Sequence, residues 1–442
     1  MATGRLGDIT LNKETIWGTY IAGTVKLRAS GESMNRTVEH TEDPALIGEL
    51  YTTDMIKIGD GIEGSLDGVI HGDEIGELLF GVLGGEAAVA NPAKSWLLVG
   101  YNGTANYARL TKSGTSLTAE TRSTSTESWV ADTNFSTAAG VLDLSLDAYD
   151  TLTELQTYIA ARTGYDAAIF GDSTDSTTLA DFAATELRNN DERVGSMLMK
   201  AENSSTTAKM HTLSPADATT LLPSYSLTIN RNLGTNKSIG AVGCKLSSIS
   251  LSNAAKDLCK FSVAVNGKAE ETDKTDVSVT VPSVEGFLAA NMKIIIEEAD
   301  GSLTDMDEVK DYSLTISANV SDNRVIGSFY KKEQVRQNST IEHSFTANNT
   351  PTQYALRTNY TADYPVGIYI YWKSNTNADT TNGIPYSMLI RIPESKLTDY
   401  NSPLSTPDQL TISAAGTAVK PSNTVYTDHI TAYVIDGDTS SY

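Results

Sequence analysis

Two cysteines and five histidines in 442 residues leave little material for thiol or metal chemistry. Cys244 and Cys259 cannot form a disulfide framework for a chain of this size, so both are expected reduced and buried. His40, His71, His211, His343 and His429 show no HExxH spacing and no accompanying cysteine cluster, which argues against a zinc site. No GxSxG elbow is present, so no nucleophile of that kind is expected. Long apolar runs are also missing: nothing approaches the length of a membrane span, and the opening MATGRLGDITLNKE has no apolar signal core. The expectation is a chain made in the cytosol that stays soluble. Basic charge is scarce as well. With 55 acidic and 33 basic residues the formal net charge is −22, which disfavours a groove that grips phosphate. An acidic wall would instead let nucleic acid pass without sticking, although solubility alone also accounts for the charge.

Gly-rich segments need the same scrutiny. In Ile56 to Val69 (IKIGDGIEGSLDGV) the glycines resemble a phosphate cradle, but the Lys-Ser/Thr of a P-loop is absent and Asp and Glu would repel phosphate. Asp54, Asp60, Glu63 and Asp67 are oxygen donors whose spacing departs from a calcium-binding EF-hand loop. Solvated acids at strand ends are the default, and no cofactor or metal is expected. Paired carboxylates make glycoside hydrolysis the strongest enzymatic rival. Four tryptophans and no Gly/Asn repeats speak against it, and no enzymatic activity or catalytic residue is expected.

What the chain has in quantity is period-2 alternation. In Lys245 to Lys268, Leu246, Ile249 and Leu251 are spaced by serines, and Phe261, Val263 and Val265 alternate with Ser262, Ala264 and Asn266. Such alternation predicts an antiparallel pair of half-buried strands, with Asn266-Gly267 as a turn signal. Tyr225–Asn230 (YSLTIN), Val277–Val281 and Tyr312–Asn319 (YSLTISAN) extend the meander. Earlier, Thr19–Leu27 reads as a strand or extended arm, Arg28–Leu46 as a long polar link, and Asp73–Gly84 as a helix capped by Asp73.

After Asn91-Pro92 the character becomes mixed. Trp96–Val99, Tyr107–Leu110 and Ala167–Phe170 read as strands, Asp147–Arg162 as a helix and Leu179–Leu187 as another. A β style returns after Pro215, with aromatic strands at Tyr364–Trp372, Tyr386–Pro393 and Thr424–Ile435.

Taken in order, these features resemble the tail tube (major tail) proteins of long-tailed bacteriophages. The strand at Tyr20–Leu27, the loop through His40–Tyr51, the strand Met55–Val69, the helix Asp73–Gly84, then YSLTIN, KLSSISLS, CKFSVAVNGK and YSLTISAN carry the resemblance. It implies a mainly β fold: a tail-tube-type β-sandwich with one sheet-packing helix, divided between residues 1–92 and 216–340. Residues 93–215 would be a mixed α/β insertion domain on the outer face, because a lumenal one would obstruct DNA. Residues 341–442 would be a C-terminal β-rich extension or small domain.

The resemblance also implies a structural virion protein. It would polymerise as stacked, hexameric rings into a hollow tail tube, assembled in the host cytoplasm. Its partners would be further copies of itself and the tail tip or baseplate, tape measure and tail terminator proteins. Genomic DNA would pass through without specific binding, and no membrane is involved. Arg36, His40, Glu42, Pro44, Tyr51, Ile56 and Ile58 are the expected inter-subunit contacts, and Glu270, Glu271, Asp273 and Asp276 the expected lumen-facing acids. A capsid decoration protein or a host-binding tailspike or adhesin is the alternative.

Overall fold

A computed structural model describes residues 7–42, 55–87, 89–176, 178–190, 192–217, 220–232, 237–275, 279–351, 356–403, 410–421 and 426–442. The chain is mainly β, with several antiparallel sheets and few helices. Its centre is a wall of six strands, labelled here in chain order: β1 (Met55–Val69), β2 (Ser238–Ala254), β3 (Lys260–Gly267), β4 (Val309–Ser317), β5 (Thr340–Asn348) and β6 (Thr411–Ala418). Across the wall their order is β1-β3-β2-β4-β5-β6, every neighbour antiparallel. At ~4.8 Å between strands this spans about 25 Å.

The alternation in the sequence places one apolar set inward. Gly68, Phe261, Leu251, Leu314, His343 and Gly416 are successive cross-strand partners in one buried row. Leu66, Val263, Ile249, Ile316 and Ile341 form the next. Each fully buried side chain of this size contributes about 1.5–3 kcal/mol by leaving water, so these rows are what hold the register. A residue slip would turn them all to solvent. Gly68 is required because Phe261 lies on it: a Cβ there would come within 2.7 Å of the ring.

β2 is long enough to serve two sheets. Its second half belongs to the wall, while its first half pairs with Tyr225–Asn230 and with Ala269–Lys274. Tyr225–Asn230 in turn pairs with Asp8–Lys13, which pairs with Val25–Leu27. The core lies between these sheets and helix α1 (Ile75–Leu83), whose Ile75, Leu78, Leu79, Val82 and Leu83 are buried in it. Gly84 ends the helix in the left-handed region at φ 80°. Asp73 does not cap it. Glu74 occupies the cap position without a side-chain cap bond, and Asp73 instead accepts two bonds from the Arg28 guanidinium.

Beyond β6 the sheet continues through Ile384–Asn401, which also pairs with Val366–Asp379 and Thr431–Asp436; the latter leads to Lys209–Pro215. Residues 93–202 hold a second core, around Leu97, Leu110, Leu117, Phe135, Leu152 and Ile159. Helix α2 (Leu152–Ala160) in that region starts with a full capping box between Thr151 and Glu154. The three-stranded sheet of Ala93–Tyr101, Tyr165–Gly171 and Met197–Glu202 turns its other face, with Trp96, Leu98 and Phe170, onto Ile295, Tyr369 and Leu389.

Further sequence expectations are corrected. Thr19–Leu27 is a strand only over Val25–Leu27; the preceding residues cross the face of the first sheet, where Tyr20 Oη and Thr228 Oγ1 are 2.8 Å apart. Leu179–Leu187 is not helical: Phe182–Asn189 is a strand on Tyr107–Ser113, whose backbone offers the partners that a short, ambiguous apolar pattern left undecided. The polar link Arg28–Leu46 contains strands Ala29–Glu32 and Asn35–Glu42, both paired with β1. Of Val277–Val281, residues 277 and 278 lie outside the described residues and the rest is not in a strand. Cys244 and Cys259 are both buried and free, as expected, and burial pushes the Cys259 thiol up to about 12.

Candidate assembly surfaces

The face of the wall opposite the core is built from the residues that alternate with the buried rows. Asp67, Ser262, Ser250, Thr315, Glu342 and Thr417 are successive cross-strand partners from β1 to β6. Ser65, Ala264, Ser248, Ser317 and Thr340 form a parallel row, and Lys260, Ser252, Ser313, Ser344 and Ala415 another. None of the three rows contains an aromatic side chain, and the third starts on β1 with the half-buried Val69, the partner of Lys260. Hydroxyls satisfy one another or the backbone here: Ser250 Oγ and Thr315 Oγ1 lie 2.7 Å apart, and Ser247 donates to the Ala264 carbonyl at 3.1 Å. The result is a polar surface of mostly short side chains, with a cavity of about 480 Å³ lined by Ser252, Lys260, Ser313, Ser344 and Ala415 at one end. It carries acids in its first row, and its only base in these rows is Lys260 in the third.

At the β1 edge the character reverses. Asn35–Glu42 and the first residues of β1 form a two-stranded arm, with Asn35 opposite Glu63 and Glu42 opposite Met55. All eight residues of Asn35–Glu42 are exposed, so the arm leaves the core. Met55, Ile56 and Ile58 are 53%, 47% and 49% exposed. Beside them runs a second hairpin, Val320–Asn323 paired with Lys332–Arg336. Its tip exposes Val325, Ile326, Phe329 and Tyr330. The two hairpins are joined: the Asp60 N–H donates to the Phe329 carbonyl at 2.9 Å, and Arg324 pairs with Glu39 at 2.6 Å. Seven apolar side chains thus face water on two joined hairpins.

Polar anchors hold this apolar edge in place. Asp60, 1% exposed, accepts from Arg36 at 3.0 and 2.6 Å and also pairs with Lys57. The Arg36 bond, helped by Lys57 against the cost of burial, holds the Asp60 carboxyl down at about 2. At the base of the second hairpin Glu333 pairs with the buried Lys245 at 2.9 Å, and Arg336 donates to the Leu83 and Ala216 carbonyls. Lys331, with 1% of its side chain exposed, lies 2.7 Å from Glu63.

Of the residues expected at inter-subunit contacts, the structure brings Arg36, His40, Glu42, Ile56 and Ile58 together on the arm. Pro44 and Tyr51 lie outside the described residues. Glu270, Glu271 and Asp273 are on the Ala269–Lys274 strand, which pairs with the first half of β2 and so belongs to the other sheet, not to the hydroxyl wall; Asp276 lies outside the described residues. Sequence reasoning missed the 320–336 hairpin altogether. The run Val325-Ile326-Gly327-Ser328-Phe329-Tyr330 was its available signal, an apolar tip in a polar segment.

No family model and no curated protein matches this chain. Among the described residues no group of three or more His, Cys, Asp or Glu is arranged to hold a metal ion, and no helix is long and apolar enough to cross a membrane.

Proposed function

We propose that this chain is the structural subunit of a bacteriophage tail tube: a protein that assembles with copies of itself into stacked rings around a channel for DNA. The observation that carries the reading is the apolar edge of Met55, Ile56, Ile58, Val325, Ile326, Phe329 and Tyr330, uncovered in a single chain. Exposed apolar side chains gathered on two joined hairpins point to an interaction site. The occupant proposed is a second copy. The edge is continuous with the wall through β1 and is carried on the arm and on the tip of the second hairpin, so a neighbouring subunit is what would bury it. A head-to-tail contact between neighbours gives a ring where its rotation closes, and rings stacked head to tail propagate as a filament.

The wall supplies the channel lining. Its hydroxyl rows offer DNA no aromatic platform for stacking, and Asp67 and Glu342 repel phosphate. In this reading it is the wall, not the Ala269–Lys274 strand, that faces the lumen. Residues 93–202, packed on the far sheets through Trp96, Leu98 and Phe170, lie away from the hydroxyl face and would project outward. A chain with this role needs no catalytic residue and no cofactor. Negative-stain electron microscopy of the purified protein tests the reading: rings or hollow rods support it, and particles that stay single at all concentrations oppose it.

A further inference from the structure

We propose that Lys331 and Asn266 are joined, or are set to be joined, by an intramolecular isopeptide bond, with Asp322 carrying the proton between them. The Lys331 Nζ lies 2.6 Å from the Asn266 side-chain oxygen, one hydrogen bond from the amide carbon it would attack. Asp322 touches both reacting nitrogens: Oδ2 is 2.9 Å from Lys331 Nζ, and Oδ1 accepts from Asn266 Nδ2 at 3.1 Å. Gln334 donates to the same Oδ1 at 2.9 Å and positions it. Glu63, the cross-strand partner of Asn266, places a second carboxylate 2.7 Å from Nζ. The lysine is 1% exposed, while Glu63 is half exposed and leaves an opening for a small leaving group.

An amine, a primary amide and a carboxylate held in mutual contact are the components of a transamidation. Transfer of one proton from the Lys331 ammonium to Asp322 frees the nitrogen lone pair. The Nζ–Cγ bond then forms, giving a tetrahedral carbon. Asp322 returns the proton to Nδ2 and the Cγ–Nδ2 bond breaks; the second Nζ proton passes through the same carboxylate to the departing ammonia, which leaves as ammonium. Nothing is oxidised or reduced, and no further reactant is needed. A buried lysine facing two carboxylates alone would be an ordinary ion cluster; the amide within the same cluster, bonded to the same carboxylate as the amine, is what adds chemistry. The bond would close a loop of 65 residues in sequence separation and fasten the 320–336 hairpin to β3, directly beneath the exposed tip. It would resist shear where assembly loads the subunit.

Intact mass measurement of the full chain, dispersed and assembled, after prolonged incubation at neutral pH, tests the proposal. The expected result is a deficit of about 17 Da, one ammonia, with a branched Lys331–Asn266 peptide after digestion. Asn266 precedes Gly267, and succinimide formation at that asparagine loses the same mass without involving the lysine. The K331M variant separates the two, because it abolishes the deficit only if the cross-link is its source. D322A, at a partly exposed position, is expected to keep the β circular-dichroism signature and lose the deficit. Wild-type protein at its unmodified mass in both states, or a deficit that persists in K331M, overturns the proposal.

Discussion

Ser250 on β2 and Thr315 on β4 share a hydrogen bond of 2.7 Å across the outer face of the wall. Each hydroxyl thereby lies along the surface instead of reaching out from it. If this face lines a channel, its smoothness is a property of side-chain length and can be reversed locally. S250K/T315K removes that bond and sets two like charges opposite each other at half-buried positions, so it is expected to cost about 1 kcal/mol while leaving the β fold in place. The same variant should retain a single-stranded oligonucleotide at low salt and release it as salt rises, whereas wild type should retain none. A filter-binding assay over a salt series reads both. Equal binding by wild type and variant would show that the wall is not what keeps nucleic acid from sticking.

The arm gives the second prediction. Ile56 and Ile58 are half exposed in the single chain, so I56S/I58S should leave the thermal midpoint of the dispersed protein within a few degrees of wild type. Assembly should fail, with sedimentation showing monomer at concentrations where wild type forms large species. Normal assembly by this variant would separate the apolar edge from self-association.

A third prediction concerns His211, fully buried where three strands meet. Its Nδ1 lies 2.7 Å from Glu86 and its Nε2 3.2 Å from Asp436, with the Asp438 carbonyl at 3.1 Å. Burial alone would lower its affinity for a proton, but Asp436, Glu86 and that carbonyl outweigh it and raise the imidazole to about 9. A raised histidine stabilises the fold fully below its unfolded value near 6.5, and the contribution is lost as pH climbs through 9. Thermal melts from about pH 6.5 to 9.5 should show this decline, and H211Q should flatten it. H211A leaves two buried carboxylates without their partner and should cost about 3–5 kcal/mol.

His343 predicts the opposite slope. It is buried under Gly416 with Nε2 2.7 Å from Ser395 Oγ, and burial pushes it down to about 4. The unfolded chain takes up the proton first, so stability falls as pH drops from about 6.5 toward 4. Replacement by leucine should remove that acid-side loss in urea titrations at about pH 4.5 and 7. An unchanged slope in H343L would assign the acid sensitivity elsewhere.

Gly68 supplies a purely steric test. A methyl group at this position meets the Phe261 ring at 2.7 Å, so G68A should destabilise the wall by about 1–3 kcal/mol, and F261L should recover part of that loss in a double-mutant cycle.

These residues also show how far the sequence could be read. Ile249 and Leu251 on β2, Phe261, Val263 and Val265 on β3, and the small polar residues between them were legible because a half-buried strand writes its two faces with period 2. The same rule hid the arm. Asn35–Glu42 is solvated on both faces and carries no apolar period, so only its pairing with β1 makes it a strand. Phe182–Asn189 was not legible because a short stretch holding few apolar residues fits either period, and the neighbour at Tyr107–Ser113 decided. The cluster of Asn266, Asp322 and Lys331 could not be seen at all. Its other two members are 56 and 65 residues from Asn266 and meet it only because the second hairpin folds back on β3. Asn266-Gly267 was legible as a strand end, and its amide as a reacting group was not.

Whether copies of this chain enclose a channel lined by the hydroxyl wall is addressed most directly by cryo-electron microscopy of the purified protein, concentrated until it assembles. Stacked rings around an open lumen are expected, with Ser250, Thr315 and Glu342 on the inner surface and Ile56, Ile58 and Phe329 buried between subunits. Rings whose inner surface carries other residues, or a protein that remains monomeric with those apolar side chains exposed, would contradict it.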